Sequence, residues 1–320
     1  MGFGFIILGL TGAFFLPRFI LVAAALFCVS AAFGLFEVTT NALATQIFTT
    51  RAALFFNLMH FFYGAGSALS PLAAGRIAAA VNWRYVYLLC LPLVLLFFIP
   101  SISTRFPQAE EDEEGKVKPK RTSFFTALKT PMVWIFAMTL GIMVAVELCS
   151  ANWAGLYFQD VYHLDPKTSG ASFISNFYIL FTISRLLGGF AIEKIGYMRS
   201  LYIATLASIA ILVFGLALGA MGIYVLPVLG FFTAMFWPTL LATAAGYFRS
   251  DAPVMTSAII VLAGAINSGI QFLMGLTNRL AGPAWGYRSA LFYAVLIIAA
   301  LIVLTRCQRR PYALSNGSAE

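Results

Sequence analysis

The sequence has little charge. Only 10% of its residues are Asp, Glu, Lys or Arg, while 61% are apolar. That excludes an ordinary soluble domain, which needs far more charged surface. Histidine is scarce, with two copies, His60 and His163, so a histidine-based metal site is poorly supported. The four cysteines, Cys28, Cys90, Cys149 and Cys307, lie in or beside apolar runs. They show neither ligand spacing nor a disulfide framework. No Gly-x-x-x-x-Gly-Lys-Ser/Thr loop occurs, so no ATP handling of that type is implied. No nucleophile and base stand together, so neither an enzyme activity nor a cofactor is expected. The start, Met1-Gly2-Phe3-Gly4, has no basic region of the kind that opens a signal peptide. The short alternating segments of a porin barrel are missing as well.

What is there instead is a series of apolar runs of about 20 residues, the length of a helix that crosses a hydrocarbon core of about 30 Å. The chain reads as an all-α polytopic membrane protein with about ten transmembrane helices. These fall near 2–16, 19–46, 53–76, 83–101, 131–156, 171–191, 200–218, 222–247, 255–278 and 287–306. The net charge of +8 comes from basic residues clustered at span ends and is not read as a nucleic-acid surface. One side of the threading collects Arg51, Arg105, Lys116, Lys118, Lys120, Arg121, Lys129, Lys194, Arg199, Arg249, Arg306, Arg309 and Arg310. The other holds Arg18, Arg76, Arg84, Lys167, Arg279 and Arg288. The bias puts both termini in the cytoplasm, in an inner (plasma) membrane. Residues 1–101 form a four-span bundle. Residues 102–130, where Glu110–Glu114 precede Lys116, Lys118, Lys120 and Arg121, read as a solvated cytoplasmic linker. Residues 131–306 form a six-helix bundle and 307–320 a cytoplasmic tail.

Several stretches resemble the major facilitator superfamily, and within it the sugar–proton symporters that include fucose and glucose carriers. Gly34-Leu35-Phe36-Glu37-Val38-Thr39-Thr40-Asn41-Ala42 is similar to the family's fourth helix. Asn57-Leu58-Met59-His60-Phe61-Phe62-Tyr63-Gly64-Ala65-Gly66, ending at Ser70-Pro71, resembles the fifth, and Trp83-Arg84 opens the sixth. Glu147 with Asn152, Trp153 and Tyr157 looks like the seventh helix and its exit. The stretch from Arg185 to Tyr197, with Gly188-Gly189 and Glu193-Lys194-Ile195-Gly196, resembles the loop signature between helices eight and nine. Phe236-Trp237-Pro238-Thr239 resembles the tenth helix. On this alignment the chain starts at the family's third helix, so the expectation is a truncated version of the twelve-helix plan that lacks the first two.

Function is then sought in the polar groups inside the apolar runs. Glu37 sits in a long apolar helix, where a charge is expensive unless hydrated, paired or protonated. Asn41 follows one turn later on the same face. Glu147 is the second acidic residue within a span. His60, with Asn57 one turn before it, can donate and accept hydrogen bonds and titrates near neutrality. Glu37, Glu147 and His60 are the candidates for proton coupling. Asn41, Asn57, His60, Asn152, Trp153, Asn176, Asn267 and Gln271 are the candidates for solute binding: amides bond hydroxyls, and an indole gives a flat apolar platform. Tyr178, Trp237 and Asn278 are weaker candidates. Arg185, Gly189, Glu193, Lys194 and Gly196 suit a cytoplasmic gate, in which small residues allow close helix contact and partly solvated ion pairs break cheaply.

These readings lead to an expected function, proton-coupled alternating access for a small polar solute, a sugar or polyol, by a monomer in the bilayer with protons as co-substrate. Two alternatives remain open. One is a carrier of the same fold for hydrophobic or drug-like compounds; the other is a non-transporting membrane protein, such as a sensor or a truncated relic.

Overall fold

A computed structural model describes residues 2–16, 18–104, 122–165 and 169–309. Among these residues every regular element is helical. After a shorter apolar helix, α1 (Gly2–Phe15), which is below the length that crosses a membrane, the long helices are α2 (Phe19–Ile47), α3 (Ala52–Ala80), α4 (Trp83–Ser103), α6 (Pro131–Tyr162), α7 (Ala171–Ile195), α8 (Tyr197–Ala217), α12 (Ala252–Ala281) and α13 (Pro283–Gln308). Short helices are α5 (Phe124–Lys129), α9 (Gly222–Val225), α10 (Leu229–Ala234) and α11 (Phe236–Phe248). Seven described stretches are long and apolar enough to cross a membrane. One of them, Gly219–Ala281, turns back at Arg249–Asp251 and so holds two passes.

The ends follow local chemistry. Asn82 caps α4 by accepting the Arg84 N–H at 3.0 Å. Pro131 and Pro283 open α6 and α13, where a missing N–H costs nothing. Gly196 joins α7 to α8 with φ 95°, a backbone state that side-chain-bearing residues rarely adopt.

One expected span is not a single helix. Residues 222–247 are cut into α9, a 3₁₀ turn at Leu226–Val228, α10, and α11 after a break at Met235. Prolines account for this: Pro227 and Pro238 have no N–H to continue the helical ladder. Pro238 leaves the Ala234 carbonyl, one turn earlier, without its intrahelical donor.

The chain divides into two compact units. One comprises Met1–Leu43 with Leu69–Lys118, the other Ala44–Ala68 with Pro119–Glu320. In the first, α1 packs on α4, with the Phe14 and Tyr85 rings 5.3 Å apart, edge to face. A cavity of about 640 Å³ opens there among Ile6, Phe36, Thr39, Leu43, Leu93 and Phe97. Two of its hydroxyls are engaged: Thr39 donates to the Leu35 carbonyl and Ser101 to that of Phe98.

In the second unit α6 is the central helix. Of its most apolar stretch 67% is buried, whereas none of the corresponding part of α4 is. It packs on α12 and α13, and Tyr157 stacks on Tyr287 with ring centres 4.7 Å apart. Tyr202 of α8 hydrogen-bonds Thr305 of α13 at 3.0 Å.

The contact division cuts through α3 and so differs from the sequence-based boundary at the linker. The start of α3 is drawn into the second unit because Gly189 of α7 brings two backbones together. A Cβ at Gly189 would stand 2.9 Å from Leu54 Cα. Of the expected linker 102–130, residues 105–121 lie outside the described residues, as do 310–320 of the tail. The end that is described is structured. Ala127 of α5 is fully buried, and Thr122 donates a hydrogen bond to Asp251 at 3.0 Å.

Candidate functional site

The polar residues of the second unit gather in three places. The first surrounds Arg185, which is only 4% exposed. Its Nη1 donates to the His60 carbonyl of α3 at 3.0 Å, and its Nε donates to the Ala234 carbonyl of α10 at 3.3 Å. The guanidinium lies 4.1 Å from the Phe181 ring centre and 5.5 Å from that of Tyr63, close enough for cation–π attraction. His60 and Trp237 face each other edge to face at 6.4 Å. Tyr178 lies within electrostatic range of Glu147, Tyr63 and Arg185, so the half-buried Glu147 belongs to this neighbourhood. Asn57, Ser184 and Thr233 are fully buried. Asn57 Nδ2 donates to the Ala53 carbonyl at 2.8 Å. Its Oδ1, together with Ser184 Oγ, Thr233 Oγ1 and Trp237 Nε1, has no hydrogen-bond partner. Unfilled polar capacity of this kind is costly in a packed interior.

The second place joins α6 to α12. Trp153 Nε1 donates to Gln271 Oε1 at 2.9 Å, and Gln271 Nε2 donates to the Ala145 carbonyl at 3.0 Å. Asn267, one turn before Gln271, keeps a buried Oδ1 without a partner. Ser150, on the same face of α6 as Glu147, is buried and bonded to the Val146 carbonyl.

The third lies where α7 ends. Glu193 Oε1 accepts the Leu54 N–H at 3.3 Å and the Tyr197 hydroxyl at 2.8 Å. The Tyr197 oxygen in turn accepts the Ala53 N–H at 3.2 Å. Ala53 and Leu54 are in the first turn of α3, whose amides lack intrahelical acceptors. A carboxylate there also meets the positive end of the helix dipole.

Several expectations need correction. Arg185 does not stand with Glu193 and Lys194 at a gate. It lies more than two turns deeper in α7, bonded to backbone carbonyls. Among the described residues Glu193 is held by an amide and a phenol, and Lys194 is exposed. Gly189 and Gly196 do sit where close approach and a turn demand them. Asn152 and Asn176 are exposed, and neither is hydrogen-bonded to Arg185, Trp153 or Gln271. In the first unit, Asn41 is buried and its Nδ2 donates to the Glu37 carbonyl at 2.9 Å. The half-buried Glu37 therefore shares a turn with Asn41 as its spacing implies, but the bond uses its backbone.

Sequence reasoning missed Tyr197, Tyr63, Phe181, Ser184 and Thr233. Tyr197 closes the quoted loop signature, and that position was the available signal. The hydroxyls of Ser184 and Thr233 gave none.

Comparisons with known proteins give a consistent picture. A family model described as Major Facilitator Superfamily matches residues 1–272. Protein TsgA of Escherichia coli O157:H7 (strain EC4115) is 24% identical over 305 residues, covering 93% of this chain and 75% of that protein. The crystal structure of the E. coli fucose:proton symporter FucP superposes with a TM-score of 0.77 at 17% identity, covering 97% of this chain and 82% of that one. A bacterial homologue of the iron transporter ferroportin, in an outward-facing state, gives 0.66 at 12% identity, covering 97% and 84%. The human organic anion transporter TETRAN gives 0.68 at 14%, covering 94% and 75%.

Proposed function

We propose a function from one premise: the chain belongs to the major facilitator superfamily. It is a multi-pass helical membrane protein with the fold of carriers. On our reading it moves a small polar solute, a sugar or polyol, across an inner membrane by alternating access, with both termini cytoplasmic and protons as the coupling ion. The observation that carries the reading is the buried pair His60 and Arg185 with the half-buried Trp237 packed on His60, together with unfilled buried acceptors and donors on Asn57, Ser184, Thr233 and Trp237 of α3, α7 and α10–α11. Hydroxyl-rich solutes need amide, hydroxyl and indole partners of this sort. One of the carriers that share the fold is a fucose:proton symporter.

Glu37, Glu147 and His60 are the groups proposed to exchange protons. A carboxyl inside a span is stable when protonated and costly when charged, so loading a proton from one side and losing it to the other can be tied to the solute. Glu193, Tyr197, Gly189 and the start of α3 form the proposed cytoplasmic closure. The test is uptake into proteoliposomes. A hexose or polyol should accumulate when the outside is acidic and only equilibrate once a protonophore is added.

A second reading is a carrier for apolar compounds, and one observation favours it. The cavity of about 640 Å³ in the first unit is lined almost wholly by apolar groups. Competition by lipophilic cations, with no competition by sugars, would select it.

A further inference from the structure

We infer that Arg185 is a positioning residue, a clamp that holds the broken helix α10–α11 and α3 in register so that Trp237 faces His60. The inference rests on the carrier reading above for its kinetic consequence, but its geometry stands independently. Pro238 has no N–H, so the carbonyl of Ala234 loses the donor that a continuous helix would give it. An unsatisfied carbonyl in a span is expensive, because no water is at hand to replace the missing bond. Arg185 Nε fills that vacancy from α7 at 3.3 Å. Its Nη1 reaches the His60 carbonyl on α3 at 3.0 Å. One rigid, planar guanidinium thus spans two helices, and the Phe181 ring at 4.1 Å fixes its plane. Lysine cannot copy this, since it offers a point charge instead of a fork of donors.

The two carbonyls are those of residues that bear on the site. His60 carries the imidazole, and Ala234 stands three residues before Trp237, just ahead of the break at Met235. Moving Arg185 therefore shifts both walls of the proposed solute site without removing either. The proline break and the arginine form a matched pair. With a donor restored at position 238, the Ala234 carbonyl is satisfied within its own helix and half of the clamp becomes redundant.

The experiment measures the bend and the transport separately. Spin labels at Tyr224→Cys and Ser250→Cys, in a background lacking the four native cysteines, bracket the break from exposed positions. Wild type gives one narrow distance distribution. Arg185→Met broadens it, and Pro238→Ala lengthens and straightens it. The double variant is narrow and long, so the second change suppresses the disorder of the first. In uptake assays Arg185→Met raises KM about tenfold, the scale of one charge-assisted hydrogen bond, with the maximal rate changed by less than about twofold. Arg185→Lys falls between. If Arg185→Met does not fold, the pair Arg185→Lys and Arg185→Lys with Pro238→Ala makes the same comparison. An unchanged distribution in the arginine variants, or a double variant as broad as the single one, overturns the clamp. If the wild-type protein takes up no sugar, the carrier reading fails, while the label distances still decide the clamp.

Discussion

Glu193 shows how a carboxylate can act at a helix end through an amide and a phenol. Its carboxylate and the Tyr197 oxygen together take up two amides of the first turn of α3. Replacing Glu193 with Ala and Tyr197 with Phe removes acceptors worth about 1 kcal/mol each. Hydrogen exchange at Ala53 and Leu54 should then speed up about five- to tenfold, with the centre of α6 unaffected; equal exchange in variant and wild type would refute the capping role. At the other polar link, Trp153→Phe keeps a ring but loses the bond to Gln271. We expect KM for the solute to rise about tenfold, with melting temperature nearly unchanged. A variant with normal KM and lowered melting point would mark the pair as glue only. These partnerships were not legible in the sequence. Trp153 and Gln271 lie far apart in the chain, and spacing gives no hint that one indole meets one amide. Arg185 was drawn to the gate by its place ahead of Gly188-Gly189 and Glu193-Lys194. One of the two carbonyls it serves, that of Ala234, is freed by a proline far downstream.

Helix positions, by contrast, were readable, because lipid demands long apolar runs and the breaks fall at Gly, Pro and charged residues. α2, α4, α12 and α13 lie within a few residues of expectation. The departures are α1, which is shorter than a crossing helix, α6, which runs on to Tyr162, and the span at 222–247, where Pro227 and Pro238 both break the ladder. A second lesson at this scale concerns close approach. In a membrane, helices gain little from hydrophobic association, so packing and small residues decide their contacts. Gly189 is one point at which the backbones of α7 and α3 come close. Gly189→Leu must displace Leu54 and Asn57, at a cost of about 1–3 kcal/mol for overpacking. The melting temperature in detergent should fall by several degrees, whereas the same change at Gly246, whose Cβ position meets nothing within 4 Å, should leave it unaltered. Similar losses at both glycines would contradict the assigned contact.

At the scale of the whole molecule, the family is secure and the fold follows from it, while the solute is read from a handful of buried polar groups. The basic clusters argue for one orientation, and the superposed carriers handle different solutes, so the fold alone does not choose among them. That choice rests on whether the groups around His60, Arg185 and Trp237 meet hydroxyls, and whether a carboxyl in the spans moves a proton with them. The most direct measurement is uptake of labelled hexoses and polyols by purified protein in liposomes, with and without an imposed proton gradient, for wild type and Glu147→Gln. The account predicts gradient-driven accumulation by wild type, and exchange without accumulation by the variant. Uptake that ignores the gradient in both proteins, or transport of lipophilic cations with none of any sugar, would contradict it.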